Sequence, residues 1–434
     1  MKACIYTLGC RVNQYESDAI MQELKKYGAE IVSSSSPCDI CIINTCSVTA
    51  ESDRKSKQII RRLIAKNPQA AVIVTGCYSQ INPDDATKIP GVSLVCGNND
   101  KSVIAKKAIE LYESKAARCQ LIMSDINNGK FDVMSVGAPM HRTRAFIKIQ
   151  DGCNSKCAYC IIPYARGGIR SNSPENILQE AKNIVNEGCH EIVFTGIETA
   201  AYGKDTNNRH SLGDLVLTVS EIDGLKRIRL GSLDPSAITP ELVGKLASSS
   251  KVMPHFHISM QSGCTKTLNE MKRKYNVDMA KRSLSYLRNA FPNLMLSADV
   301  ITGFPGESEE DFTKTLEFFS EEKFLHLHIF PYSKRAGTPA AEMKNQVPDT
   351  VKKERLHRLE ELQANIKSKL LSDFVNKTKD VEVLFESFDG EYILGHTPNF
   401  IEVKAKSDRP HGGEFIKVKP THTDGKIVYG EIIS

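Results

Sequence analysis

The 434 residues are 41% hydrophobic and 25% charged, which suits a soluble globular chain with room for about three domains. A net charge of +5 permits contact with nucleic acid without demanding it. No run of about eighteen apolar residues is available to span a membrane, and the opening MKACIYTLGC is too short an apolar run for a signal peptide. The expected location is therefore cytoplasmic, and in that reducing compartment 13 cysteines argue for metal ligation or catalysis rather than a disulfide framework.

The chain opens with alternating strand and helix patterns. ACIYTLGC (3–10), ICIINTC (40–46), AVIVTGC (71–77) and VSLVCG (92–97) read as short buried strands. Helical patterns at 15–27 and 48–66 separate them, and this spacing predicts a parallel sheet with crossover helices over residues 1–119. Residues 120–143 lose periodicity, carry Asn-Asn-Gly and Gly-Ala-Pro, and read as a linker. From 144 to 349 the alternation restarts with strands at 145–150, 191–196, 227–232, 255–260, 294–303 and 324–333, and with helices such as 174–187 and 308–320. Six βα units predict a partial, open (β/α)6 barrel, two units short of closure. A long connecting helix is expected at 350–375, and the short alternating strands of 376–434 predict a small antiparallel β barrel. The expected fold class is thus α/β, with an open parallel sheet domain, a partial barrel and a β-barrel tail.

Within DGCNSKCAYC, Cys153, Cys157 and Cys160 directly follow the first barrel strand, where βα loops carry chemistry. Zinc sites made of cysteine want a fourth ligand, usually as a second pair, and none lies nearby. A [4Fe–4S] cluster held by three thiolates instead leaves one iron open. The N-terminal region repeats the pattern at longer range. Cys10, Cys46 and Cys77 each close an apolar strand, so three parallel strands deliver thiols to one sheet edge, where open α/β sheets bind ligands. Cys96 ends the fourth strand in the same way, but the adjacent Gly97-Asn98 turn assigns it to structure. Cys4, Cys38, Cys41, Cys119, Cys189 and Cys264 read as small buried or incidental residues.

The C-x3-C-x2-C loop closely resembles the motif of the radical S-adenosylmethionine superfamily, and the whole chain resembles the methylthiotransferases within it. TLGCRVNQYES (7–17) is most similar to the branch acting on N6-threonylcarbamoyladenosine in tRNA. The resemblance implies S-adenosylmethionine and two [4Fe–4S] clusters as cofactors, one on Cys153, Cys157 and Cys160 and an auxiliary one on Cys10, Cys46 and Cys77. It implies that one S-adenosylmethionine methylates a sulfur on the auxiliary cluster. A second is cleaved to a radical that takes hydrogen from C2 of the adenine, next to the anticodon at position 37. It further implies cofactor contacts from Tyr159, Gly196, Glu198, Ser232, Asp234, Gln261 and Asp299, all at or near strand ends of the barrel, with the run TGFPGE (302–307) closing the fifth strand.

Expected partners are the tRNA anticodon stem-loop and a reductase or flavodoxin-type electron donor. The sulfur donor stays open, no membrane is involved, and a monomer is expected. The C-terminal strands resemble the RNA-binding TRAM domain, yet 376–434 holds eight Lys and Arg against ten Asp and Glu, so its charge alone does not argue for RNA. Basic stretches at 53–62, 272–274, 333–335 and 352–358 are candidates for phosphate contact. Phe385, Phe388, Tyr392 and Phe400 are candidates for base stacking or for the core of the small barrel. Arg11, Arg166 and Arg170 all qualify as partners for the threonylcarbamoyl carboxylate. The alternatives are methylthiolation of isopentenyladenosine in tRNA, of a ribosomal-protein aspartate, or a non-catalytic zinc protein that binds RNA.

Overall fold

The computed structural model describes residues 1–114, 118–127, 129–138, 143–206 and 210–433. Six parallel strands form the N-terminal sheet: β1 (Lys2–Thr7), β2 (Glu30–Ile31), β3 (Ile40–Thr45), β4 (Ala71–Gly76), β5 (Leu94–Cys96) and β6 (Gln120–Ile122). Their order is β2-β1-β3-β4-β5-β6. Every residue of β3 and β4 is buried, as expected of parallel strands covered by helices on both faces. The strand order reverses between β1 and β3, so a crevice opens beyond the carboxyl ends of these two strands.

The stretch read as a linker is partly structured. Its first residues, QLI, form β6, which pairs with β5. Three residues are too few to show a strand period. Val136 is buried against Tyr15 and Ala19 of the helix Arg11–Lys26, and its backbone N–H donates to Glu180 Oε1 at 2.8 Å. Residues 128 and 139–142 of this stretch lie outside the described residues.

The central domain contains β7 (Ala145–Lys148), β8 (Gln150–Asp151), β9 (Arg170–Ser171), β10 (Glu191–Thr195), β11 (Arg227–Leu230), β12 (His255–Gln261), β13 (Met295–Thr302) and β14 (His326–Pro331). Two parallel sheets, β11-β10-β7 and β12-β13-β14, are joined by bridges between Ile228 and Val252 and between Leu233 and Ile258. The result is a six-stranded open barrel running β7-β10-β11-β12-β13-β14. β8 and β9 pair antiparallel and pinch the base of the cysteine loop between them.

The N-terminal domain bridges the open side. At the β7 edge, the Tyr15 hydroxyl donates to Met134 O at 2.7 Å and to Glu180 at 3.0 Å. At the β14 edge, Arg335 pairs with Asp53 at 2.7 Å and donates to Ser47 Oγ at 2.9 Å.

The last domain is a closed barrel of β15 (Val381–Phe388), β16 (Tyr392–His396), β17 (Glu402–Lys406), β18 (Phe415–Thr423) and β19 (Val428–Ile432). It docks on the amino ends of the central strands. Arg227 donates to His396 O and Glu382 O at 3.1 and 2.9 Å, and Arg229 to Pro398 O and Thr397 O at 2.9 and 3.0 Å. Phe400, with φ +68°, stacks on His255 and His396 and lies under the Arg144 and Arg229 guanidiniums. It is a plug between domains and not a base-stacking surface. Phe385 belongs to the small barrel's core, and Phe388 packs against it.

Much of the basic sequence is likewise spent internally. Arg335 is buried, Arg273 is half-buried, and Arg355 is buried on Glu307 at 2.8 Å. Arg54, Lys55, Arg61 and Arg62, on the helix Ala50–Lys66, remain exposed. Exposure could not be read from these basic runs because one or two cations in each have a distant acidic partner.

Candidate active site

Three strand ends and their turns position Cys10, Cys46 and Cys77. Cys10 is the N-cap of the helix Arg11–Lys26, where the positive end of the helix dipole favours a thiolate. Gly9 holds φ +105°, and a Cβ there would lie 3.2 Å from Cys46 Sγ. Gly76, with φ +101°, turns β4 into Cys77, and a Cβ there would fall 2.5 Å from the Thr45 backbone nitrogen. Replacing Gly76 with Ala is expected to cost about 1–3 kcal/mol from backbone strain alone. The clash with β3 adds to this and displaces Cys77. A lower thermal midpoint together with reduced iron content checks it.

Asn13 and Asn44 stitch this edge together. Asn13 Nδ2 donates to Leu8 O and Thr45 O at 2.8 and 2.9 Å, and Asn44 Nδ2 donates to Asn13 O at 2.9 Å. Beneath them lies a buried charged network. Arg166 pairs with Glu16 at 2.8 Å and with Asp151 at 3.1 Å, and donates to Asn13 Oδ1 at 2.6 Å. Lys148 reaches Glu16 and Asp151 at 3.2 and 3.3 Å, Lys101 pairs with Glu16, and Arg170 approaches Asp151 at 4.0 Å. Burial opposes the charge on Glu16, but Arg166, Lys101 and Lys148 override it and hold the carboxyl well below its usual range. Four cations meet Glu16 and Asp151 here, with Asp132 a third carboxylate within reach of Lys148, which still leaves a positive excess. Arg166 and Lys101 both feel Cys77, and the Cys10 thiol is raised overall by desolvation, which Arg166 opposes in part. A trio of thiolates fits this environment, because the excess offsets their charge.

The second trio sits on the loop between β8 and β9. Gly152, with φ +70°, packs on the Gly168 carbonyl, and Cys153 N–H donates to Gly167 O at 3.0 Å. The Cys153 thiol donates to Glu198 Oε2 at 3.0 Å. Burial and Glu198 push that thiol up to about 12, and burial pushes Cys160 up to about 11. Both are neutral until metal binding displaces their protons. Gln150 ties Glu198 to the loop: its Nε2 donates to Asp151 O and Gly152 O at 2.6 Å each, and its Oε1 accepts from Glu198 N–H at 2.8 Å. A Cβ on Gly196 would meet that same Oε1 at 2.8 Å, so the close approach requires glycine.

Arg273, within a run offered from sequence as a candidate for phosphate contact, is instead a hub of this site. It donates to Cys157 Sγ at 3.1 Å, Tyr159 OH at 3.4 Å, Asp234 Oδ2 at 2.6 Å and Ser259 O at 3.2 Å. Tyr159 stands edge-on to Phe304 of the TGFPGE run at 6.5 Å. Ser232 is half-buried just before this group. Gln261 closes β12 with φ +63° next to a register shift, a strained backbone of the kind concentrated at functional sites. Asp299 lies deeper, three residues before the end of β13, and pairs with His257 Nε2 at 3.0 Å. It lies within electrostatic reach of Arg11.

The trios face each other. The one-turn helices Cys77–Ile81 and Ile162–Arg166 are in contact, and Cys160 lies within electrostatic reach of Cys77. Asn98 Nδ2 spans the gap, donating to Ala165 O at 2.8 Å and toward Cys77 Sγ at 3.8 Å. Cys96 takes no part, as its thiol donates to Asp100 O at 3.3 Å. Gln150, Asn13, Asn44 and Asn98 were absent from the candidates read in the sequence, and Arg273 was there only as a candidate phosphate contact. An Asn at the end of the otherwise apolar run IIN (42–44) was the one local signal for any of them.

Family profiles match at residues 147–319, described as the radical SAM superfamily, and at residues 2–97, described as uncharacterized protein family UPF0004. Over 95% of the chain it is 40% identical to the threonylcarbamoyladenosine tRNA methylthiotransferase MtaB of Bacillus subtilis, covering 92% of that protein. To the MtaB of Aquifex aeolicus it is 36% identical over 95% of the chain and 98% of that protein. The chain belongs to the radical SAM methylthiotransferase family. Another member, the tRNA-2-methylthio-N(6)-dimethylallyladenosine synthase of Clostridium novyi, is 35% identical over 99% of the chain and 96% of its own length. Among solved structures, the radical S-adenosylmethionine methyltransferase TsrM of Kitasatospora setae superposes with a TM-score of 0.58 over 78% of this chain and 74% of its own, at 12% identity, a likeness of fold. As a radical SAM methylthiotransferase, the chain is an enzyme that uses S-adenosylmethionine and [4Fe–4S] clusters. Among the described residues, no helix is long and apolar enough to cross a membrane.

Proposed function

We propose that this enzyme inserts a methylthio group at C2 of N6-threonylcarbamoyladenosine at position 37 of tRNA, with Cys153, Cys157 and Cys160 holding one [4Fe–4S] cluster and Cys10, Cys46 and Cys77 the other. The observation that carries the reaction is the approach of the two cysteine trios, through the contact of helices Cys77–Ile81 and Ile162–Arg166 and the electrostatic reach of Cys160 to Cys77. The substrate rests on the MtaB relatives, 34–40% identical over most of the chain, together with TLGCRVNQYES.

When bound, the clusters and S-adenosylmethionine supply the electron, the hydrogen-abstracting radical and the sulfur. The chain supplies placement. Glu198 and Asp234 lie beside the radical-SAM cysteine loop, placed to contact S-adenosylmethionine. Arg273 fixes Cys157, Tyr159 and Asp234 relative to one another, and the N-terminal domain covers the open barrel flank and keeps water out. Exposed cations such as Arg61, Arg62, Lys272, Lys274 and Lys334 are available to meet tRNA phosphate.

Of the three arginines offered for the threonylcarbamoyl carboxylate, Arg166 is consumed by Glu16 and Asp151, and Arg170 by the carbonyls of Ile126, Arg166 and Gly168. Arg11 is exposed next to Cys10 and faces Asp299 and Arg144, so we assign it that role. A charge-assisted hydrogen bond is worth about 1.5–3 kcal/mol. Arg11→Met is accordingly expected to raise the KM for modified tRNA by roughly 10–150-fold while uncoupled cleavage of S-adenosylmethionine continues. Equal losses in both would remove Arg11 from substrate recognition.

Mass spectrometry of tRNA nucleosides from cells with and without the gene tests the function. Loss of 2-methylthio-N6-threonylcarbamoyladenosine, with the unthiolated nucleoside rising, supports the assignment. Loss of the isopentenyl counterpart moves it to the second reading, which relatives such as the Clostridium novyi synthase favour. An unchanged profile removes tRNA as the substrate and leaves the ribosomal-protein aspartate.

A further inference from the structure

Three cysteines set aside in the sequence meet at the opposite edge of the N-terminal sheet from Cys46. Cys4 on β1 and Cys41 on β3 are directly opposite each other in the strand register. Cys38, in the turn before β3, completes a C-x2-C pair with Cys41. Their sulfurs are 3.0 Å (Cys38–Cys41), 3.3 Å (Cys4–Cys41) and 3.4 Å (Cys4–Cys38) apart. In the sequence that C-x2-C spacing was passed over, and no ligand spacing was found among these cysteines. Only the pairing of β1 with β3 brings in Cys4.

This convergence has the chemistry of a ligand set for a single ion. Ligands to different irons of a cubane are held apart by the cluster body, whereas three thiolates on one tetrahedral ion at about 2.3 Å from each sulfur lie about 3.8 Å from one another. The present triangle needs to open by only about half an ångström to reach that spacing. Its surroundings suit a thiolate complex. Asn67, at the end of the helix Ala50–Lys66, points Nδ2 at Cys41 Sγ at 3.6 Å and accepts from Cys38 N–H through Oδ1 at 3.0 Å. Such outer hydrogen bonds orient sulfur ligands. Lys66, anchored on the Ser35 carbonyl, places positive charge near Cys4, which offsets the single negative charge of three thiolates on a divalent ion. Cys4 and Cys41 are buried and Cys38 is half-exposed, so the fourth position opens to water beside Cys38.

We propose that Cys4, Cys38 and Cys41 bind one zinc ion, with water as fourth ligand, at a site separate from both cluster trios. Cys41 and Cys46 are five residues apart on one extended segment, about 16 Å by strand rise, so the ion neither touches nor bridges the auxiliary trio. It cross-links β1, β3 and the turn before β3, and so braces the sheet whose far edge carries Cys10, Cys46 and Cys77.

The test uses the full chain, isolated anaerobically with both iron clusters loaded so that the other thiols are occupied. The wild type is compared with Cys38→Ser, a change at the most accessible ligand, and with Cys41→Ser. Elemental analysis is expected to find one zinc per wild-type chain and little in either variant, with iron unchanged in all three. Titration of zinc-stripped, iron-loaded wild type with Co2+ should give sulfur-to-cobalt charge-transfer absorption that Cys38→Ser lacks. Zinc retained in both variants would overturn the site. So would a wild type that takes up neither zinc nor cobalt, or one whose Cys38 and Cys41 are isolated as a disulfide. Because iron is read separately, failure here is distinguishable from failure of the two-cluster assignment.

Discussion

Replacing Cys46 with Ala is expected to leave a folded protein that carries about half the iron, cleaves S-adenosylmethionine to 5′-deoxyadenosine under reducing conditions, and makes no methylthiolated product. Cys46 is buried, and Gly9 packs against its side chain. Ala fills most of that space, so the loss is chiefly one of a thiolate. The other trio is held by Gln150, Glu198 and Arg273, none of which contacts Cys46, so chemistry at Cys153, Cys157 and Cys160 continues. The loss of product should exceed the roughly 10–100-fold cost of removing a group one shell out from a metal. The measurements are iron per chain, 5′-deoxyadenosine formed and methylthiolated nucleoside formed, on the same samples. Unchanged methylthiolation in Cys46→Ala would remove the auxiliary role of this trio. Simultaneous loss of 5′-deoxyadenosine would mean that the two sites do not act as separate units.

Arg166→Met is expected to be the most damaging substitution for stability. The side chain is fully buried and joins Glu16 of the N-terminal domain to Asp151 at the root of the cysteine loop. Removing one partner from a buried charged network leaves carboxylates under-compensated, at a cost of about 3–5 kcal/mol. Urea unfolding of wild type and variant reads this directly. A double-mutant cycle with Glu16→Gln should show coupling of about 0.5–3 kcal/mol. The network also sets an acid limit. Burial opposes ionisation of Glu16 and Asp151, yet Arg166 with Lys148 and the neighbouring cations holds both carboxyls below their usual range. Groups with depressed folded values stabilise the fold above the ordinary carboxylate range, near pH 4–4.5, and that contribution is lost as the pH falls through the folded values. Wild-type stability should therefore drop steeply on acidification, and Arg166→Met should show a shallower dependence. A variant as stable as the wild type at pH 7 would show that Lys101 and Lys148 suffice on their own.

The cysteine loop was legible from residues alone because Cys153, Cys157 and Cys160 lie within one short turn, and local spacing limits what such a turn can hold. Cys10, Cys46 and Cys77 were legible one step later. Each ends an apolar strand, and parallel strands align their ends, so topology brings together what sequence separates. The βα alternation, the open six-stranded barrel and the closed C-terminal barrel follow from hydrophobic period and turn residues in the same way. Strand β6 escaped because three residues carry no period.

What only the tertiary structure decided are the pairings between charges and thiols far apart in the chain. Arg273 in KRK and Arg335 in SKR look like solvated cations until Cys157, Asp234 and Asp53 are seen to lie opposite them. Glu16, Lys101, Lys148 and Arg166 come from four separate segments and form one network at the domain junction. Cys4 meets Cys38 and Cys41 through the register of β1 on β3. Hydrophobic period depends on a residue's own neighbours, so the sequence carries it. A buried charge or thiol is defined by the partner that makes its burial tolerable, and that partner is chosen by the fold.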